Sequence, residues 1–337
     1  MKNDVKSAAG QARAVNIEQN SDRDGLPCAP APTGEQIRIV HGDQVATIVA
    51  VGGGLRTYQL GEREILDGYG RDRLCSDARG QALIPWPNRL MDGMYRFGGE
   101  DQQLPLTEPE KGNAIHGLVR FANWTVAART GHGVTLTHTL HPSPGYPFAL
   151  ALSIEYSLSD AGLSVATTAT NIGTDSCPYG AGAHPYITAG TEILDPAWLT
   201  VPATSWLPTD ERGIPTSVSS VHGTPQDFSE PRPIAATQLD TGYTDLIRDP
   251  DGLARVVLRA PEADQAVAVW LDESYPYVMA FTGDSLPEPS RRRRGLGVEP
   301  MTCAPNAFRT GDGLRVLEPG DSFSSAWGIE PELRIGR

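Results

Sequence analysis

Apolar and polar residues alternate with a period of two along much of this chain. Ile37 and Ile39, then Ala46, Ile48 and Ala50 beyond a His41-Gly42-Asp43 turn, are separated by polar or small residues, which predicts a β-hairpin. Val134, Leu136, His138 and Leu140 alternate with Thr135, Thr137 and Thr139, the pattern of a half-buried strand with a threonine face. Leu150, Leu152, Ile154, Tyr156 and Leu158 lead into Ser159-Asp160-Ala161-Gly162, after which Leu163, Val165 and Thr167 run back as a second hairpin. Further strands are predicted at Arg255 to Leu258, Ala266 to Leu271, Val278 to Thr282, Gly297 to Glu299 and Phe323 to Ile329. No stretch of ten residues keeps a helical period. The expected fold is all-β, a large and mainly antiparallel sandwich with long irregular loops such as Thr204 to Gln238 laid over one face. Residues 1–34 are polar and broken by Asp-Gly and by Ala29 to Pro32, so they are expected to form a disordered leader before a single domain spanning 35–337.

Composition narrows the function classes. With 36 Gly and 28 Pro in 337 residues, turns dominate over long helices. A net charge of -13 argues against nucleic acid as a partner, because phosphate binding needs clustered positive charge. No apolar segment approaches the length of a membrane span and Met1 to Asn20 lacks the apolar run of a signal peptide, so a cytoplasmic protein is expected. The four cysteines, Cys28, Cys75, Cys177 and Cys303, are far apart and form no Cys-x-x-Cys pair, which fits a reducing compartment.

Five polar residues stand among glycines, prolines and aromatics: Arg89, His116, His184, Asp240 and Glu299. His184 lies in Gly180-Ala181-Gly182-Ala183-His184-Pro185-Tyr186, between a flexible run and a proline that cannot donate to a sheet ladder, and so is expected to face a cleft. Glu299 ends the glycine-spaced apolar run Gly295 to Val298, again just before a proline, and an isolated acid there needs partners. Arg89, beside Trp86 and close to Tyr95, offers a fork of donors suited to vicinal hydroxyls, with rings to cover the apolar face of a sugar; it also reads as a brace for its loop. His116 in Ile115-His116-Gly117 can donate to and accept from hydroxyls, or simply be satisfied within a loop. His138 and His141, three positions apart on a strand, would face opposite ways, and no metal site is expected.

Taken in order, Asn88-Arg89, His116-Gly117, His184-Pro185-Tyr186, Asp240-x-x-Tyr243, Glu299-Pro300-x-Thr302, Pro305-Asn306-Ala307-Phe308 and Leu317-x-Pro319-Gly320 resemble the aldose 1-epimerase (mutarotase) family from about residue 36 onward. The resemblance implies a β-supersandwich of the galactose mutarotase type, with a sugar cleft across one sheet and no cofactor. It also implies interconversion of the α and β anomers of a hexose. Glu299 would be the base at the C1 hydroxyl and His184 the acid at the ring oxygen, with Arg89, His116, Asp240, Tyr243 and Trp86 holding the sugar. Asp245 lies five residues beyond Asp240, whose spacing to Tyr243 is the one that matches the family. Other readings are a hexose 6-phosphate mutarotase using Arg291 to Arg294 as a clamp, a carbohydrate-binding protein without turnover, and a glycosidase using Asp240 with Glu299.

Overall fold

The computed structural model describes residues 30–261 and 265–334. Two large sheets carry the domain. The order of the nine-stranded sheet is Thr125–Arg129, Gly133–Leu140, Leu150–Ser159, Gly162–Asn171, Ser322–Arg334, Gln265–Leu271, Ala254–Arg259, Trp198–Thr200 and Arg232–Pro233. An eight-stranded sheet runs Ser219–Ser220, Ala203–Leu207, Asp240–Leu246, Tyr277–Phe281, Leu296–Met301, Gly182–Ala183 and Ala82–Leu83, with Tyr186–Ile187 also paired to Leu296–Met301. Neighbouring strands in both sheets are antiparallel. The two expected hairpins are present in register, Ile37 opposite Ile48 and Leu158 opposite Leu163. Helix is confined, among the described residues, to one turn at Ala307–Thr310 and a 3-10 turn at Pro289–Arg291. None of these helices is long and apolar enough to cross a membrane.

Alternation places the core. In Leu150–Ser159 the residues Leu150, Leu152, Ile154, Tyr156 and Leu158 are buried while those between are partly exposed or exposed, and Gly162–Asn171 repeats the pattern. Their inward side chains join Ile37, Ile39, Tyr58, Val269, Trp327 and Ile329 in one continuous apolar cluster, the main driving force for assembly. Of the leader expected over 1–34, residues 1–29 lie outside the described residues. Thr33 is buried, and its carbonyl accepts from Val51 N at 3.0 Å, so this end of that segment is part of the fold. The Gly52-Gly53 pair forms a tight turn, and at Gly53 a side chain would press on the Trp124 indole at 3.0 Å. The segment from Thr204 to Gln238 contains short strands rather than loop alone, and is tied down where Arg212 donates to the Gly112 carbonyl and to Asp92.

Candidate active site

His184 and Glu299 are brought together by one register. Gly182 pairs with Met301 and Tyr186 with Gly297, which sets His184 directly opposite Glu299 across two antiparallel segments. Pro185 and Pro300 follow these two residues and donate no backbone N–H, so the ladder is interrupted where the two side chains meet. A Cβ at Gly297 would crowd Phe281 Cβ at 3.2 Å and would only touch His184 Cε1, at 3.5 Å. On the next strand Phe281 lies opposite Gly297, and beyond it Asp240 lies opposite Phe281, so strand pleating points Asp240, Phe281, Glu299, His184 and Tyr186 toward the same face. All five line a cavity of about 300 Å³, together with Arg89, His116, Asn88, Glu108, Arg120, Asp77 and Leu286.

The rim approaches from another direction. Arg89–Met91 pairs with Asn113–Ile115, and His116 follows with a positive φ of 63°. Gly117 next to it packs so closely on the Ile84 carbonyl that no side chain fits. His116 N donates to the Asn88 carbonyl at 2.9 Å, and Asn88 N donates back to His116 Nδ1 at 3.2 Å, which fixes that ring's tautomer with its other nitrogen free to donate. Arg89 is buried, and its Nε and Nη2 grip the Glu108 carboxylate, the shortest contact being 2.9 Å. Its Nη1 points toward Asp240 Oδ2 at 3.6 Å.

The electrostatics of the floor differ from those of the rim. His184 Nε2 lies 3.2 Å from Glu299 Oε1, and both side chains are almost sealed from solvent, 6% and 4% exposed. Burial, reinforced by the Asp240 charge and opposed by Arg89, pushes the Glu299 carboxyl up to about 8. Burial, reinforced by Arg79 and Arg120, pushes His184 down to about 3. His116 is also held well below the ordinary imidazole value, first by burial and then by His184, Arg120 and Arg89. Glu299 Oε2 and His184 Nδ1 are buried without a hydrogen-bond partner. Ligand atoms of His116, His184 and Glu299 lie within 4.8 Å of one another, a spacing a transition metal could bridge. The guanidiniums of Arg79, Arg89 and Arg120 act on these same groups and weigh against a cation there.

Of the seven residues expected at the sugar, the structure gathers five around the cavity: Arg89, His116, His184, Asp240 and Glu299. Trp86 and Tyr243 are corrections. Tyr243 is three positions from Asp240 on the same strand and therefore faces the other way, into the core, where its hydroxyl donates to the Gln226 carbonyl at 3.0 Å. Trp86 packs in the core against Phe308, ring centres 5.5 Å apart, and does not line the cavity. The rings that do line it are Tyr186 and Phe281. Asp245, at an odd spacing from Asp240, also faces away and lines a different hollow. Arg89 does not offer its whole fork to a ligand, because Glu108 occupies two of its three nitrogens. The Arg291 to Arg294 run is no phosphate clamp at this site: Arg291 pairs with Asp67 at 3.1 Å and Arg293 with Asp195 and Asp284 at 2.6 and 2.8 Å. Arg292 donates to the Leu286 carbonyl, and none of the four lines the cavity.

A sequence model described as aldose 1-epimerase matches residues 35–329. The chain is 37% identical over 289 residues to the uncharacterized protein YihR of Escherichia coli K12, covering 86% of this chain and 90% of that one. Among solved structures, a GalM/aldose epimerase homologue from C. elegans superposes with a TM-score of 0.78 at 16% identity, covering 90% of this chain and 99% of that one. A galactose 1-epimerase from Lactobacillus acidophilus gives 0.72 at 18% identity, covering 88% and 94%. The all-β architecture is thus the galactose mutarotase-like fold.

Proposed function

Because the chain belongs to the aldose 1-epimerase family, we propose that it interconverts the α and β anomers of a hexose, with Glu299 as general base and His184 as general acid. The observation that carries this reading is the buried His184–Glu299 contact of 3.2 Å at the floor of a sugar-sized cavity. Ring opening removes a proton from the anomeric hydroxyl and delivers one to the ring oxygen; closure on the other face of the aldehyde reverses both transfers. A pair that shares one proton meets both demands. Burial favours the neutral form at rest, carboxylic acid beside imidazole. Transfer across the contact gives carboxylate and imidazolium, the form that opens the ring. Opening leaves the pair neutral again, and closure restores the ionised form, so the pair's total charge is zero throughout. Arg89, His116 and Asp240 are assigned to the sugar hydroxyls and ring oxygen, and Tyr186 and Phe281 to its apolar face. The buried free thiols Cys75, Cys177 and Cys303 suit the cytoplasm, where we place the protein.

The test is polarimetry or anomeric-proton NMR on freshly dissolved α-D-glucose and α-D-galactose, with spontaneous mutarotation subtracted. Glu299→Gln is expected to fold, to bind sugar and to lose catalysed exchange; full activity in this variant would remove Glu299 from the mechanism. A second reading, a hexose 6-phosphate as substrate, is supported by Arg120. Its guanidinium lines the cavity with no carboxylate paired to it among the described residues, and its hydrogen bond to the Ile115 carbonyl is at the outer limit, 3.5 Å. If the phosphorylated sugar is the substrate, glucose 6-phosphate will be turned over faster than glucose and Arg120→Gln will erase that preference.

A further inference from the structure

His116 and His184 are held in different ways. His116 is oriented by a hydrogen bond at Nδ1, the usual device for fixing an imidazole. His184 Nδ1 has no such partner, so nothing at that nitrogen sets the plane of the ring. His116 meets the ring edge-on, with centres 5.4 Å apart, and Tyr186 is stacked on it, with centres 4.9 Å apart and planes 13° from parallel. The same phenol ring carries the guanidinium of Arg79, whose Cζ lies 4.0 Å from its centre. Arg79 is 3% exposed, as deeply buried as Glu299 itself.

The surroundings of Arg79 show why so costly a burial needs a purpose. Its Nη1 donates to Asp67 Oδ2 at 3.2 Å, but that oxygen also lies 3.1 Å from Arg291 Nη2, so one carboxylate faces two cations. Nη2 has no hydrogen bond, and its closest acid is Asp77 at 4.0 Å. A buried ion pair of this quality is weak evidence for stability. A cation over an aromatic face is a specific contact, strengthened where water is excluded. The loop that brings Arg79 there is bent around His184. Asp77 and Ala78 both have φ of 54°, a left-handed conformation that non-glycine residues adopt only under constraint. On leaving the bend, Gly80 N donates to the His184 carbonyl at 2.8 Å and His184 N donates to the Gln81 carbonyl at 3.2 Å. Tyr186 Oη donates to the Asp77 carbonyl at 3.2 Å.

We propose that Arg79 is a positioning residue which, by clamping the Tyr186 ring, fixes the plane of the His184 imidazole and aims Nε2 at Glu299. It touches neither the opposing carboxylate nor the sugar, and acts only through Tyr186. The groups that face His184 are Glu299, His116, Tyr186 and the cations Arg79 and Arg120, and the Arg79 charge is among the causes that keep this imidazole neutral. The assignment of a catalytic consequence rests on the proposed epimerase reading; the assignment of geometry does not.

The experiment uses the full chain with Arg79→Gln and Arg79→Lys, each measured by sugar exchange and by NMR of the histidine rings, His184 being identified by its loss in His184→Asn. Arg79→Gln is expected to lower kcat about 10- to 100-fold with little change in KM, as a slightly misplaced catalytic group does. It is also expected to reduce the ring-current shift that Tyr186 imposes on the His184 Cε1 proton, and to move the His184 titration upward. Lysine keeps the charge and loses the plane, so Arg79→Lys is expected to retain the titration and still lose turnover; if Arg79→Gln does not fold, the lysine variant carries the test. An unchanged His184 spectrum in the substituted protein, or wild-type kcat in Arg79→Lys, overturns the proposal. Should the wild type accelerate no sugar, the epimerase reading fails, and the His184 spectrum alone decides the role of Arg79.

Discussion

At the floor of the cavity His184 and Glu299 face each other with their remaining polar atoms unpaired, whereas at its rim Arg89 is gripped by Glu108 and flanked by Asp240. Both regions are built from ionisable side chains, yet only the rim ties a guanidinium to a carboxylate in a multi-point hydrogen-bonded pair. Sealing a carboxyl and an imidazole away from water, with weak compensation, pushes both toward neutrality and brings the acid close to the pH at which it must work. Pairing a guanidinium with a carboxylate does the reverse: the Glu108 contact holds the Arg89 charge in place against its burial. The division suggests that proton transfer belongs to the floor and orientation of the sugar to the rim, and it can be broken at either end.

The largest effect is expected at the floor. Glu299→Gln should lower anomer exchange by about 10²- to 10⁴-fold, the usual worth of a proton-transfer group. Asp240→Asn at the rim should mainly raise KM; if it lowers kcat as far as Glu299→Gln does, the division is wrong. The pH profile sharpens the same point. If the working unit is the singly protonated pair, kcat/KM should be flat across neutral pH and fall as pH rises through about 8, where the last proton leaves Glu299. An independent carboxylate base would give the opposite sign, a rate that climbs through that pH.

Next in size is the rim's contribution to stability. Glu108→Ala strands the Arg89 guanidinium, buried, with only the more exposed Asp240 nearby, and should cost about 3–5 kcal/mol in chemical denaturation. A cost below about 1 kcal/mol would show that water reaches Arg89 and that the rim is not locked.

The floor should show the reverse behaviour at high pH. The Glu299 pKa is raised in the folded state, so the neutral acid's contribution is complete below the unfolded carboxyl value and is lost as pH rises through about 8. Glutamine carries no such penalty. Relative to wild type, Glu299→Gln should therefore gain stability between about pH 5 and 8, on the order of a few kcal/mol, and hold that gain at higher pH. A gain independent of pH would mean that Glu299 is not pushed up by burial.

The two regions also differ in how far they can be read from sequence. His184 and Glu299 announce themselves through glycine runs and a following proline, because an interrupted ladder leaves that mark on the chain itself. Arg89 and His116 sit in similar punctuation, at Asn88 and Gly117. Glu108 stands before Pro109 and Arg79 before Gly80, but neither lies in an apolar, glycine-spaced run, and Arg120 has neither neighbour. Glu108 meets Arg89 across 19 residues of chain and Arg79 reaches His184 only through Tyr186, and contacts of that kind are made by the tertiary fold. Phe281 was within reach: it lies in the strand expected at Val278 to Thr282, and the period of two, with a register, would have turned it toward Glu299.

The same period separates Asp240 from Tyr243, and it supports the smallest prediction. A motif spacing of three on a strand places the two residues on opposite faces, so the acid that lines the cavity excludes the tyrosine from it. Tyr243→Phe should then leave KM and kcat unchanged and cost about 1 kcal/mol, the worth of the lost hydrogen bond to the Gln226 carbonyl. A raised KM with unaltered stability would put the hydroxyl at the sugar and would require the strand to turn between Asp240 and Tyr243. Such a turn conflicts with the continuous pairing of this strand to Tyr277–Phe281, in which Asp240 meets Phe281 and Tyr243 meets Val278.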